Sequence, residues 1–345
     1  MEKEIMFIYG DKTTFITKDI NQLKNLGFII NKHESGLNKS LFFFIINRVR
    51  ELIFMIKNIY KSNYLIIWFN DYHAIIPLII SRLFNIKSLL IIGGYDAIRF
   101  KKISHGIFSR NRFKLKFLKK NLFNVDNIWA VDKSLINGCN NAYKLYGVKS
   151  GIRNFINKKI DIQEVHTGYN SKKWNYYNGK KENIILTVGV FKNEKTLIIK
   201  NIKLFIELAY QLPKYKFLIV GDIKNIIEKK FNLPKNLIVE GFKQKEELKA
   251  IYIKSKFYFQ GSILEGLPNV LCESMLCGCI PIGNNVFGIP NAIGNTGLVF
   301  NGKNDLNNIV KFINENNSDP IQIRNRIINL YNLKKREKAF KNFLN

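Results

Sequence analysis

Short runs dominated by apolar residues recur along the first half of the chain, and segments with helical spacing separate them. Because most of these runs do not alternate apolar with polar positions, they predict strands of a parallel sheet buried on both faces. The alternation of strand and helix predicts a doubly wound, Rossmann-like domain. The predicted strands are 4–9, 27–32, 64–69, 88–92, 127–131 and 162–166, and the predicted helices are 18–26, 41–60, 73–84 and 134–145, the last capped by Ser134.

The same pattern starts again after a polar, turn-rich stretch at 171–182, which we interpret as a linker. We therefore expect two α/β domains, residues 1–170 and residues 183–320. Ligands of such sheets bind at the carboxyl ends of the strands, so we expect the domains to face each other across a ligand-binding cleft. The second-half strands are 183–188, 216–220, 236–239, 257–260, 279–282 and 297–300, and the helices are 201–211, 246–254, 304–316 and 319–345.

The segment from Gly261 to Gly297 combines two carboxylates with a predicted loop, helix and strand. Pro268 suits the first turn of a helix, and Gly278 suits its C-terminal cap. The N–H groups at the start of this helix form a natural anion site, because they are unpaired and carry partial positive charge. Glu265 precedes the helix and Glu273 lies about one turn inside it, and both can accept hydrogen bonds from sugar hydroxyls.

The net charge of +29 predicts attraction to anionic partners such as lipids, nucleic acids or phosphorylated substrates. A chain-wide abundance of Lys, Asn and Ile offers a purely compositional explanation. The four cysteines fit no common zinc pattern, which indicates small core residues in a reducing compartment. The first ten residues lack the features of a signal peptide, and the apolar runs are too short to span a bilayer. We expect a cytoplasmic protein that associates peripherally with the inner face of the membrane.

One segment, residues 99–123, is unusually basic: it holds nine Lys or Arg, five Phe and no acidic residue. Basic groups with interleaved aromatic residues suit the surface of an anionic membrane. The alternative is a solvated basic face whose Phe side chains enter the core. The sequence leaves both interpretations open.

The segment 261–300 resembles the signature of the family-4 retaining glycosyltransferases, which have the GT-B fold of two Rossmann-like domains. That signature contains two Glu separated by seven residues, followed by a Gly-Ile-Pro turn and a Thr-Gly-Leu. Residues 164–170 resemble the hinge of the same family, with Asn170 where Asp is usual. The resemblance implies that the C-terminal helices, 321–345, return to the N-terminal domain. The matching positions are Glu265, Gly266, Glu273, Gly278, Pro281, Gly288, Pro290 and Gly297.

The resemblance assigns donor-binding roles within this segment. Glu265, which we assign to catalysis together with Lys200, would contact the hydroxyls of the donor sugar, and Glu273 would contact the ribose of its nucleotide. Gly189 and Gly241, which close two predicted strands, are further donor-binding candidates. Main-chain N–H groups around Leu267 to Val270 would hold the sugar and the diphosphate. The donor-binding candidates of this stretch are Gly266, Leu267, Pro268, Asn269 and Val270.

A departing nucleoside diphosphate needs positive groups nearby. The family usually supplies an Arg at the position of Val190 and a Lys about five residues later. Lys195 has that spacing, whereas Lys200 directly precedes the predicted helix, as the family's Lys-Gly does. We favour Lys200, with Lys195 next and Lys192 as a substitute for the Arg. A solvated lysine without a role is the alternative for each.

The first domain offers fewer candidates for contacts with the acceptor or the sugar. Gly10 closes the first strand, where the family often has a glycine loop. His73 either faces the cleft or makes only local bonds at a helix start. Gly94 and Asp96 follow a buried strand where relatives carry a sugar-contacting His; we assign Asp96 to catalysis, against a plain turn role. No D-x-D motif stands where a metal-dependent glycosyltransferase would need one, so we expect no metal and no other cofactor.

The function implied by the resemblance is transfer of a hexose, with retention of configuration, from a nucleoside-diphosphate sugar to a saccharide or lipid-linked glycan. Cell-surface polysaccharide, lipopolysaccharide or glycolipid synthesis is the expected setting. One alternative is a GT-B nucleotide-sugar epimerase or hydrolase. A basic nucleic-acid-binding protein is a further alternative, which we disfavour because the sequence contains no recognisable nucleic-acid-binding motif.

Overall fold

The chain folds into two compact units in a computed structural model that describes residues 3–36, 40–110, 112–176, 179–316 and 318–345, without the side chains of 112–114. Residues 111 and 177–178, which belong to the predicted basic segment and the linker, lie outside this description. The first unit comprises residues 1–138, 149–168 and 334–345, and the second comprises residues 139–148 and 169–333. Residues 139–148 thus join the second unit, although the sequence placed them in the N-terminal domain.

The first unit is built on a six-stranded parallel sheet with the strand order β2-β1-β3-β4-β6-β8, which confirms the doubly wound prediction. β1, β3 and β4 occupy its centre, and their apolar side chains are almost entirely buried, as unalternating runs predict. A short antiparallel pair, β5 and β7, lies beside it. The strands are β1 (Glu4–Tyr9), β2 (Ile29–Glu34), β3 (Ser62–Trp68), β4 (Lys87–Ile92), β5 (Ile98–Arg99), β6 (Asn127–Ala130), β7 (Lys149–Ser150) and β8 (Gln163–Glu164).

Helices follow the strands of the first unit in the predicted order. The helix predicted at 134–145 divides in two, because Gly138 has a φ of +99° and interrupts it. Ser134 does not cap it; Asp132 Oδ1 instead accepts the Ser134 N–H at 2.9 Å. The helices are α1 (Thr14–Asn25), α2 (Leu41–Asn58), α3 (Ile75–Leu83), α4 (Arg112–Asn124), α5 (Ser134–Asn137) and, in the second unit, α6 (Asn140–Tyr146).

The second unit repeats the architecture with a parallel sheet of order β11-β10-β9-β12-β13-β14. β9 and β10 pass through Gly189 and Gly221 rather than ending at them. The strands are β9 (Glu182–Phe191), β10 (Lys216–Asp222), β11 (Leu237–Glu240), β12 (Ser255–Gln260), β13 (Ile280–Asn284) and β14 (Leu298–Phe300).

One stretch of the second unit differs from its prediction. The sequence placed residues 192–200 in a loop, but Asn193 caps a helix there by accepting the Thr196 N–H at 3.1 Å. The helices are α7 (Glu194–Lys200), α8 (Ile202–Gln211), α9 (Ile226–Lys230), α10 (Lys245–Lys254), α11 (Asn269–Leu276), α12 (Ile289–Ile293), α13 (Leu306–Glu315), α14 (Pro320–Leu330) and α15 (Leu333–Leu344), of which α15 crosses into the first unit at Lys334.

The last two helices belong to different units. α14 packs on α11, and Arg324 donates to the carbonyls of Trp174 and Ser171 in the same unit. In α15, by contrast, the buried Arg336 pairs with Asp19 of the first unit at 2.6 Å. The predicted C-terminal segment 321–345 therefore divides between the units rather than joining one of them.

No helix in the described part of the chain is both long enough and apolar enough to cross a membrane.

Candidate functional site

The helix predicted after Pro268 is present as α11, which begins at Asn269. Pro268, the residue at the N-cap position, makes no side-chain capping hydrogen bond. Its C-terminus follows the prediction, because Gly278 adopts a φ of +77° directly after the last turn. The N-terminus of a helix carries partial positive charge and is a natural position for an anion.

An ion pair joins the two best candidates of the second unit. Lys200 Nζ lies 2.7 Å from Glu265 Oε2, and both side chains are largely buried. Lys200 ends α7, and the following Asn201 has the left-handed conformation that a glycine would supply in a Lys-Gly pair. The Ile263 N–H donates to the Ile199 carbonyl at 2.9 Å and holds the loop before α11 against α7.

Glu273 lies inside α11 and is 7% exposed, so it is not a solvated helix-surface carboxylate. The cysteines of this segment are core residues, as predicted, and burial raises the pKa of Cys277 to about 12 and that of Cys279 to about 11. The side chain of Asn269, at the start of α11, accepts a hydrogen bond from the Tyr169 hydroxyl at 2.8 Å. This bond holds the first residue of the helix in place.

The glycines at the carboxyl ends of the neighbouring strands allow their backbones to approach closely. A Cβ on Gly221 would lie 1.7 Å from the Gly189 carbonyl oxygen, and the Gly221 N–H donates to the Gly241 carbonyl at 3.2 Å. Gly189 and Gly241, predicted as donor contacts, thus border the same rim of the sheet. Gly189 has a steric role, because a Cβ there would lie 2.8 Å from the Phe191 ring, whereas a Cβ on Gly241 would meet only the Asp222 carbonyl oxygen, at 3.9 Å.

The other lysine candidates are more open than Lys200. Lys195 and Lys192 are exposed, and so is Val190, which occupies the family's Arg position. Of the three lysines considered, the structure brings only Lys200 to a predicted site carboxylate.

The first unit contains a cavity of about 890 Å³ at the carboxyl ends of β1, β2 and β3. Gly10 and His73, both predicted candidates, line it. Its other lining residues combine aromatic rings with charged groups: Asp11, Thr13, Ser35, Gly36, Ser40, Leu41, Phe44, Arg48, Phe69, Asp71, Tyr72, Tyr95 and Arg110.

His73 offers a hydrogen-bond acceptor close to Gly10. Its Nε2 lies 2.8 Å from the Trp68 carbonyl, which can only accept, so Nε2 carries the proton. Burial lowers the pKa of His73, so the ring is neutral near pH 7 and its Nδ1 is an acceptor. A Cβ at position 10 would meet this ring at 3.8 Å, in ordinary contact.

Two arginines of the cavity wall did not emerge from the sequence. Arg110 forms a bidentate ion pair with Asp71 at 2.6 and 2.8 Å. Arg48 contacts Glu51 at 2.7 Å and donates to Ser35 at 2.8 Å, while its Nε and Nη1 have no partner among the described residues. The sequence did contain a signal for the Arg48–Glu51 pair, because these two charged residues lie three positions apart within an apolar helical segment.

Comparison with known proteins identifies the family. The model of the family described as "Glycosyl transferases group 1" matches residues 170–342, half of the 345-residue chain. The chain belongs to this family. No curated protein sequence matches it.

Solved structures share the fold of the transferase over nearly its whole length. Sucrose-phosphate synthase from Thermosynechococcus elongatus has a TM-score of 0.75 and 16% identity, covering 99% of this chain and 98% of the other. HepE from Anabaena, solved in complex with UDP, has a TM-score of 0.69 and 10% identity, and the match covers 100% of this chain and 99% of HepE. A glycosyltransferase from Rickettsia africae ESF-5 has a TM-score of 0.67 and 16% identity, and the match covers 99% of this chain and 98% of the other. These likenesses establish an α/β fold with two parallel-sheet domains that matches GT-B enzymes.

Asp96 of the transferase follows β4, as the sequence predicts, and its side chain makes the contacts of a turn. It is fully buried and does not line the cavity; its carboxylate accepts the N–H groups of Asn70, Gly93 and Gly94 at 2.9–3.1 Å. Burial raises the pKa of Asp96 to about 6. Gly94 is buried as well. In this structure Asp96 holds the turn after β4, the alternative that the sequence left open. Contact of Asp96 or Gly94 with sugar or acceptor, and a catalytic role for Asp96, stay predictions.

Some Phe residues of the basic segment 99–123 enter the core, and others are exposed. Phe100 and Phe108 are buried, and the Phe108 ring stacks on Phe155 at 4.0 Å. Phe117 and Phe123 are exposed. Phe113 lies outside the described side chains. The core explanation thus holds for two of these rings.

Side chains with the composition of a metal site meet at the ends of β6 and β8. Ligand atoms of Asp132, Glu164 and His166 lie within 4.8 Å of one another. The backbone engages all three, because Asp132 accepts from Ser134, Glu164 from Lys133, and His166 Nδ1 contacts the Val131 carbonyl. These hydrogen bonds give the three side chains a structural role in holding the loops after β6 and β8. The expectation of a metal-independent enzyme stays a prediction.

Proposed function

We propose that this group 1 glycosyl transferase is a family-4-like retaining hexosyltransferase that uses a nucleoside-diphosphate sugar. The observation that carries the proposal is the 2.7 Å contact of Lys200 with Glu265, which lies in the loop directly before α11. A cation and the N-terminus of a helix suit a diphosphate, and a carboxylate suits sugar hydroxyls. The UDP complex of HepE supports a nucleotide-bearing donor.

Each donor-site residue has a distinct role in this proposal. The main-chain N–H groups of Gly266, Leu267, Asn269 and Val270, together with Lys200, hold the diphosphate and stabilise the charge that develops as it departs. Glu265 orients the donor sugar through its hydroxyls, and Glu273 binds the ribose. The leaving phosphate draws the proton from the acceptor hydroxyl, without a covalent intermediate on the protein and without a metal ion.

We propose that the cavity of the first unit binds the acceptor, a saccharide or lipid-linked glycan. Tyr72 and Tyr95 offer apolar ring faces to a sugar, and Asp71 and His73 offer hydrogen-bond acceptors. The setting is cell-surface polysaccharide, lipopolysaccharide or glycolipid synthesis at the cytoplasmic face of the membrane. Exposed lysines of the basic segment, among them Lys116 and Lys120, supply attraction to anionic lipid.

A screen of UDP-, GDP-, ADP- and CMP-sugars by thermal shift tests the donor class. We expect one nucleotide to raise the melting temperature and Glu273→Ala to remove that shift, because its ribose contact is lost. Glu246→Ala, an exposed acidic residue on α10, is the matched control. If no nucleotide sugar stabilises the protein, the donor site is wrongly assigned.

Product analysis then tests the reaction itself. NMR of the anomeric proton should show the donor's configuration in the product, and EDTA should leave the rate unchanged. Release of free sugar, or an epimerised nucleotide sugar without transfer to any acceptor, would instead establish the hydrolase or epimerase alternative.

A further inference from the structure

The outer face of α2 is apolar, which reverses the usual arrangement of a surface helix. At 100° per residue, seven of its side chains fall within an arc of about 120°. All seven are between 41% and 74% exposed. They are Leu41, Phe42, Ile45, Val49, Leu52, Ile53 and Ile56.

The opposite face of α2 carries polar residues among apolar ones and points into the first unit. Asn47 and Glu51 are buried there, next to Met55. Glu51 accepts a hydrogen bond from Ser35 at 2.6 Å and pairs with Arg48, which also lines the cavity. These contacts beside the cavity hold the Glu51 side of α2 inward. The apolar arc on the other side therefore does not pack into the core of the unit.

The apolar arc continues onto the neighbouring helix α3. Tyr60, just after α2, is 88% exposed, and its ring lies 6.3 Å from that of Phe84, which follows α3 and is also exposed. Leu83 and Ile79 of α3 are exposed too. Monomeric proteins rarely expose so large a contiguous apolar surface unless it has a partner.

The charges around this surface are of one sign. Arg50 and Lys57 are exposed and lie along one edge of the arc, and the exposed Lys61 follows the helix. The only acidic residue in 41–61 and 75–84 is Glu51, which is fully buried. An apolar stripe edged by cations is the pattern of a helix that lies in the surface of an anionic bilayer. A second copy of the chain would place like charges together.

We propose that the outer face of α2, with Tyr60 and Phe84, is the surface by which the protein inserts shallowly into an anionic lipid interface. This surface is separate from the basic segment 99–123. It also borders the cavity, because Leu41 lines the cavity and is 74% exposed. An acceptor with a polar head and a lipid tail can therefore reach the cavity from the bilayer, a consequence that rests on the proposed function, whereas membrane binding does not.

Sedimentation of the full-length protein with vesicles tests this proposal without any donor or acceptor. We expect binding to phosphatidylglycerol–phosphatidylcholine vesicles that weakens with salt, and little binding to phosphatidylcholine alone. The triple variant Ile45→Ser, Ile53→Ser, Ile56→Ser should lose at least tenfold in binding. The control variant Ile223→Ser, Ile238→Ser, Ile321→Ser changes isoleucines of similar exposure in the second unit and should bind like the wild type.

A second variant tests the charges alone. Arg50→Gln with Lys57→Gln should lower binding several-fold and reduce its sensitivity to salt. The proposal is overturned if the wild type does not bind, if the α2 triple variant binds normally, or if both isoleucine variants lose binding equally. It is also overturned if the wild type is a dimer that the α2 triple variant dissociates, because a second copy would then cover the face.

Discussion

Helices α2 and α11 each border a candidate site, but they arrange polar and apolar residues in opposite ways. In α11, residues Leu271–Leu276 are all buried, and the chemistry is confined to Glu273 and the start of the helix. In α2, the polar residues Glu51 and Arg48 face inward and support a cavity, while the apolar arc faces solvent. α11 contributes to its site through its N-terminus, so all of its sides can be buried. α2 contributes to the cavity through one side, so its opposite face cannot pack against the same unit.

The largest expected effect tests the α11 end of this comparison. Glu265→Ala and Glu273→Ala should each reduce kcat/KM for sugar transfer by at least about 100-fold, because preorganised polar contacts to the donor are lost. Circular dichroism should show an intact fold, and Glu246→Ala should keep full activity. Full activity in either site variant would contradict the assignment.

Two adjacent apolar residues test the orientation of α2. Met55 is fully buried and Ile56 is 60% exposed. Met55→Ala should cost about 2–4 kcal/mol of unfolding free energy, whereas Ile56→Ala should change it by less than about 0.5 kcal/mol. Urea unfolding of both variants measures the difference. Equal costs would mean that the apolar arc is buried.

The lysine of the donor site gives a smaller effect. Lys200→Ala should weaken binding of the nucleoside diphosphate about tenfold or more, because a cation close to the phosphates is lost. Lys195→Ala, on the same helix but exposed, is the matched control. Isothermal titration with UDP, GDP and ADP compares them. A larger loss in Lys195→Ala would reverse our choice of lysine.

The smallest effect concerns pH and the inward face of α2. Burial raises the pKa of Glu51 from 4.5 to about 7, so the folded state holds a proton there that the unfolded state releases above about pH 4.5. The contribution of Glu51 to stability is thus fully present below pH 4.5 and is lost as the pH rises through 7. Between pH 5 and 7.5 the wild type should lose about 1–3 kcal/mol relative to Glu51→Gln.

Urea unfolding at intervals over this range measures the effect, with Glu246→Gln as the control. Comparison with the variant is needed because His33, whose pKa burial and the nearby Arg50 and Arg48 lower to about 4, contributes a slope of the opposite sign at lower pH. Parallel curves for the wild type and Glu51→Gln would show that Glu51 is not buried as an acid.

Local patterns predicted the α11 segment well. A proline start, a glycine stop and two carboxylates lie within a few turns of each other, so their relative positions depend on helix geometry that the sequence encodes directly. The sequence left several lysines as candidates for the donor site. The contact of Lys200 with Glu265 depends on α7, a helix capped by Asn193 where we expected a loop.

Asp96 shows why the first unit was harder to predict. An acid after a buried strand fits either a ligand contact or a turn, and the sequence does not say which backbone N–H groups surround it. The structure surrounds it with three. The Arg110–Asp71 pair joins residues far apart in sequence, so no short motif could have marked it.

The sequence by itself determined most of the strands, the doubly wound class of both domains and the α11 segment, because these follow from hydrophobic periodicity and from turn residues acting over a few positions. Only the tertiary structure decided which way α2 faces. Its apolar pattern alone would predict that the arc packs inward, but buried polar partners at Ser35 and Arg48 satisfy Glu51 on the other side. With Glu51 held inward by these bonds, the arc on the other side of α2 faces solvent.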